Sequence, residues 1–126
     1  MKEFKIEVMT KLIVTQEDID DIMATALEGG INYWCRKAEV VGDYLGEYAS
    51  DQVSRGGVLK LYDIEDDSIY ELTLEKLLHG IEKAYIDCWY IDYGWCNGKK
   101  IDTCQVDAVV ADIIIQLSLF DEIIYG

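Results

Sequence analysis

Residues 103–120, TCQVDAVVADIIIQLSLF, limit the fold more than any other segment. Wound as a helix from about Thr103 to Leu119, they set Val106, Val109, Val110, Ile113, Leu117 and Phe120 on one face. Ala108, Ala111, Ile115 and Leu119 then fill much of the other. A helix apolar nearly all round has to be covered nearly all round. Two arrangements achieve this: the helix is central to the core, or it forms a homodimer contact with a second copy. At 126 residues the chain is one domain on length, with few other helices to supply cover, so both expectations stand.

The rest of the chain supplies the layers around that helix. Residues 4–9, FKIEVM, alternate Phe4, Ile6 and Val8 with Lys5 and Glu7, the period of a strand with one wet face. Thr15 followed by Asp18 approximates a capping box and opens a helix over 16–28, with Gly29-Gly30 as its left-handed cap. Ile19, Ile22, Met23, Ala26 and Leu27 share the dry arc of that helix, and Glu17, Asp20, Asp21 and Glu28 gather opposite. Residues 43–57 read as a short or broken helix ended by a second glycine pair. VLKLYDI and SIYELT read as a hairpin with an acidic turn. Thr73 caps a helix over 74–87, residues 89–100 form a loop or a strand entering a tight turn, and the closing DEIIYG reads as a short strand. The expected fold is therefore α+β: a small, mainly antiparallel sheet packed against helices in a single domain.

Composition narrows the function. Asp and Glu number 25 against 11 Lys and Arg, a formal net charge of −14 and a pI near 4.2. Such a field repels free nucleic acid and anionic membrane and speeds encounter with basic surfaces. No apolar run approaches the ~18 residues of a membrane span, and MKEFKIEVMTKLIV lacks the apolar core of a signal peptide, so a cytoplasmic location is expected. In a reducing cytosol Cys35, Cys88, Cys96 and Cys104 are expected as free thiols that pack as small apolar residues.

Catalytic and metal motifs find little support. There is no G-x-S-x-G elbow, and the single histidine, His79, falls on the polar side of its helix. Cys88, Cys96 and Cys104 recur at intervals of eight without the close C-x-x-C pairing of structural zinc sites. DIEDDSIYELTL has Ser68 where a calcium loop needs glycine and Leu74 where it needs glutamate. Both glycine pairs follow helices, whereas phosphate-binding loops precede one. The expectation is a protein that is not an enzyme, uses neither metal nor cofactor, and acts by recognition.

Two recognition surfaces compete. In the first, Glu17, Asp20, Asp21 and Glu28 dock on a basic surface of another protein. In the second, NYWCRK forms a small-ligand site in which Tyr33 or Trp34 stacks a base while Arg36 or Lys37 meets a phosphate. Against that second reading stands a plain strand, with Tyr33 and Cys35 inward and Asn32, Trp34 and Arg36 outward.

The segments VTQEDIDDIMATALEGGINYWC, AEVVGDYLGEYASDQVSRGG, YELTLEKLLHGI and IIIQLSLFDEIIYG resemble a group of small proteins carried by phages and mobile elements of Gram-positive gut bacteria. That resemblance implies a context and assigns no individual residue. Small acidic proteins of this kind include inhibitors of bacterial defence such as anti-CRISPR proteins. Some occupy basic channels of a host defence protein and others sequester a nucleotide signal, which match the two surfaces above. A structural or assembly protein acting through homo-oligomerisation is the third reading.

Overall fold

The computed structural model describes residues 2–4, 11–87, 95–97 and 100–126. Its elements run α1 (Gln16–Thr25), β1 (Cys35–Val40), β2 (Leu59–Asp63), β3 (Ile69–Leu72), α2 (Leu74–Asp87), β4 (Cys96–Asn97), β5 (Lys100–Ile101) and α3 (Ala108–Phe120). β1, β2 and β3 form an antiparallel meander in that order, and β4 pairs with β5 as a two-residue ribbon. The fold is α+β, with helices packed on a small antiparallel sheet.

α3 is the centre of it. It lies against α2, α1, the turn that follows α1, and β3. Val110, Ala111, Ile114, Ile115 and Leu117 are all buried, and Val109 is its one large apolar side chain that is mainly exposed. The chain covers the helix by itself, so its apolar circumference gives no argument for a homodimer. Around it pack Ile19, Ile22 and Met23 of α1, Leu59, Leu61 and Leu72 of the sheet, and Leu77 and Ile81 of α2, in one core cluster with Trp34 and Trp95.

Local chemistry explains the element ends. Thr15 and Asp18 form the reciprocal capping box, Asp18 N donating to Thr15 Oγ1 at 3.1 Å and Thr15 N to Asp18 Oδ2 at 3.0 Å. α1 does not stop at a left-handed glycine. It widens into a single π-helical turn over Ala26–Gly30, and neither Gly29 nor Gly30 has positive φ. Gly30 is instead a packing glycine, because a Cβ there would stand 2.9 Å from the carbonyl oxygen of Ala108 at the start of α3. The helix expected from Thr103 begins five residues later. Asp102 caps a separate 3-10 turn over Thr103–Gln105, Val106 is extended, and Asp107 caps α3 proper through Val110 N at 2.9 Å.

Residues 43–57 resolve into two 3-10 turns, Ala49–Asp51 and Val53–Arg55, ended by Gly56 at φ +87°. Two expected strands fare differently. Phe4 is exposed and lies outside any strand, and the rest of the segment over 4–9 falls outside the described residues. The closing segment is not a strand: Asp121 turns the chain at φ +61°, and the amides of Ile124 and Tyr125 donate to the Gln116 side chain in place of a strand partner. Of the cysteines, Cys35 is buried as expected, whereas Cys104 is exposed on its 3-10 turn; the side chains of Cys88 and Cys96 lie outside the described residues.

Candidate functional site

The turn at 31–34 decides what NYWCRK presents. Trp34 N and Cys35 N both donate to Ile31 O, at 3.1 and 2.8 Å, so the chain reverses before β1 starts at Cys35. That reversal exchanges the facing that a strand predicts for two residues, Trp34 being 1% exposed and Tyr33 51% exposed, while Cys35 is inward and Asn32 and Arg36 are outward as expected. Trp34 Nε1 donates to Asp112 Oδ1 at 2.8 Å, and the Tyr33 hydroxyl donates to Asp112 Oδ2 at 2.6 Å. Gln116, one helical turn beyond, donates from its amide nitrogen to Asp112 Oδ1 at 3.0 Å.

The chain's own tail completes this network. The ring of Tyr125 stacks on Trp34, centroids 4.7 Å apart and planes 2° from parallel. Its hydroxyl donates to Asp63 and lies 2.9 Å from the Tyr70 hydroxyl. Asp63, at the buried end of β2, also accepts from the amides of Glu65 and Asp66. The Tyr125 hydroxyl and then the Glu65 amide hold the Asp63 carboxyl below its usual range. The place where a ligand's base would stack on Trp34 is filled by Tyr125.

Arg36 and Lys37 behave differently. The β1–β2 register pairs Cys35 with Asp63 and Lys37 with Tyr62, leaving Arg36 as the extra residue of a β-bulge. A bulge sends two consecutive side chains to the same side of the sheet, and both cations here stand over the Tyr62 ring, Arg36 Cζ at 5.1 Å and Lys37 Nζ at 5.3 Å from its centroid. Arg36 Nε donates to Asp63 O at 3.2 Å, and Lys37 pairs with Glu39 at 3.1 Å. Both border a cleft of about 520 Å³ floored by Leu27, Ile31, Cys35 and Ile64. Burial pushes the Cys35 thiol up, away from the reactive thiolate.

The acidic face of α1 is only partly free. Asp20 is half-buried, accepting from the Ser54 hydroxyl and pairing with Arg55 at 3.3 Å, which docks α1 on the 3-10 turns. Asp21 is exposed but accepts from Thr103 Oγ1 at 2.9 Å. Glu17 and Glu28 are exposed, and among the described residues neither makes an ion pair. The structure thus separates the four ligand residues into a pair tied to Asp112, of which only Trp34 is buried, and a cleft-lining pair, and the four acidic residues into tethered and free ones. Asp63, Asp112, Gln116 and Tyr125 were not anticipated as site residues; Asp112 and Gln116, four apart on a helix whose only other polar residue is Ser118, were the available signal.

Comparison with family models, with curated proteins and with solved structures returns no match to this chain.

Proposed function

We infer that the protein is a non-catalytic accessory protein of a phage or mobile element that blocks a bacterial defence system in the host cytosol by binding a basic surface of a host effector. The observation that carries this reading is the exposed edge of α1 and of the π-helical turn that follows it, where Glu17, Asp21 and Glu28 face solvent with no cation paired to them among the described residues, on a chain of net charge −14. Unpaired carboxylates on a fixed scaffold raise the association rate with a cationic surface at low salt. The phage context rests on the resemblance of the sequence segments alone.

Capture of host proteins at low and at raised salt tests it. A partner with a basic surface, retained at low salt and lost as salt rises, supports the reading. Reversal of Glu17 and Glu28 to Lys should weaken that capture with the fold intact. Asp20 has to stay out of such a variant, because its removal would also free Ser54 and Arg55. No basic partner at any salt would sink the reading.

A second reading, sequestration of a nucleotide signal, is favoured by the bulge that brings Arg36 and Lys37 together beside the 520 Å³ cleft. It has to work without Trp34. Calorimetric titration with cyclic and linear nucleotides tests it, and saturable heat that Arg36→Ala removes would support it. A flat titration would dismiss it.

A further inference from the structure

Between β1 and the first 3-10 turn the chain crosses residues 41–48, VGDYLGEY, with no regular structure. The backbone of this loop is nevertheless held at several points. Val41 N donates to Val58 O at 3.0 Å. Gln52, 1% exposed, accepts from Leu45 N at 2.9 Å and donates to Asp43 O at 3.1 Å. Asp51 Oδ2 accepts from Glu47 N and Tyr48 N, each at 3.1 Å. Gly57 leaves the space Gln52 needs, since a Cβ there would stand 2.5 Å from the Gln52 amide nitrogen.

What this scaffold presents is unusual. Tyr44 is 60% and Tyr48 62% exposed, with Val41 and Leu45 also open to solvent. Among the described residues neither tyrosine's hydroxyl makes a hydrogen bond and neither ring contacts another ring. Single exposed apolar side chains are ordinary, but four within eight consecutive residues of one held loop are a concentration that solvation alone does not favour and that contact with another macromolecule would cover. Tyrosine on a fixed backbone offers large contact area for little ordering entropy. Asp43 directly precedes Tyr44 and Glu47 directly precedes Tyr48, both carboxylates are exposed, and residues 38–51 contain no Lys or Arg.

We propose that residues 41–48 are the docking surface for an arginine-bearing face of a protein partner, with Tyr44 and Tyr48 stacking guanidinium groups and Asp43 and Glu47 accepting their hydrogen bonds. The proposal deepens the basic-surface reading and rests on it, moving the centre of contact from α1 to this loop. Arginine is specified over lysine because a planar guanidinium stacks on a ring while its edge still reaches a carboxylate; an ammonium does one or the other. Nucleic acid is excluded as the occupant by the two carboxylates and the absence of a cation in the loop.

Amide chemical-shift mapping on the whole protein tests it, with a capped Gly-Arg-Gly-Arg-Gly peptide at low salt and the Lys counterpart as comparison. Expected are saturable shifts largest at 43–48, stronger for the Arg peptide, and about fivefold weaker binding in Tyr44→Ser/Tyr48→Ser. Both positions are exposed, so the variant should keep its spectrum outside the loop, and the wild-type map decides the matter even if it does not. Shifts centred on Glu17 and Glu28 with the loop unmoved would overturn this proposal and leave the basic-surface reading standing. Equal response to both peptides would overturn the arginine assignment, and no saturable shift anywhere would overturn both readings.

Discussion

A carboxylate inside an apolar helix is costly unless donors meet its oxygens, and at Asp112 both oxygens are met, by Trp34, Tyr33 and Gln116. Asp112→Ala would leave the buried Trp34 N–H without an acceptor and should destabilise the fold by about 2 kcal/mol or more, read by denaturant unfolding; Asp112→Asn keeps one acceptor and should cost less. The same contacts set a pH response. Tyr33 is half exposed as a residue, but loss of hydration at its hydroxyl end, followed by the hydrogen bond to Asp112, pushes its pKa up to about 12 from the usual 10. Burial and then Asp63 push Tyr125 the same way. A tyrosine raised in the folded state stabilises fully below pH 10, and that stabilisation is lost as pH climbs through 10 to 12. Melting temperature should therefore fall across that window, and Tyr33→Phe should remove part of the slope; an unchanged slope would exclude Tyr33 as a contributor. Sequence alone offered Tyr33 and Trp34 as rings for a ligand's base, or as residues of a plain strand, and gave no sign of Asp112. Asp112 is far away in the chain, and only the crossing of α3 behind the turn at 31–34 brings the three together.

At the level of elements, close approach governs α3. α2 crosses it at Gly80, where a Cβ would stand 1.9 Å from Ser118 Oγ and 2.6 Å from the carbonyl oxygen of Ile114. Gly80→Ala should cost about 3 kcal/mol, near the upper end of overpacking effects. Removing the Ser118 side chain should rescue little of this, because the Ile114 backbone cannot yield. The glycine pair after α1 gives predictions of opposite sign. Gly30→Ala meets the Ala108 carbonyl and should destabilise, whereas Gly29 has open space around it and no positive φ, so Gly29→Ala should stabilise by about 0.5 kcal/mol through the unfolded chain. A loss at Gly29 would restore the left-handed cap that sequence pattern suggested. The amphipathic arc of α1, the Thr15 box, the hairpin and α2 were all legible because their signals are local: period, cap and turn chemistry. The start of α3 and the tail were not, since Asp102 and Asp107 both offer caps and only packing selects between them. The tail reads as β-rich, yet its amides are taken by Gln116.

Across the whole molecule, the ion pairs found among the described residues join few of the carboxylates to a cation. Asp20 with Arg55, Lys37 with Glu39, and Asp121 with Lys83 and His79 are pairs seen among the described residues, against 25 carboxylates in the chain. α+β class and the acidic field were both readable from composition and pattern. Which carboxylates are free was not, because that depends on Ser54, Arg55 and Thr103 arriving from elsewhere in the chain. Self-repulsion at net −14 opposes the compact state, and mobile ions relieve it once the screening length falls to about 8 Å near physiological salt. Melting temperature at pH 7 should therefore rise by a few degrees between about 0.01 and 0.2 M NaCl. Binding to a cationic partner should weaken over the same range. Opposite signs separate the two effects in one salt series: loss of partner at raised salt, with a higher melting temperature, cannot be unfolding. A melting temperature that falls with salt would mean that the internal ion pairs, Arg55 with Asp20 foremost, contribute more to the fold than repulsion among the free carboxylates takes away.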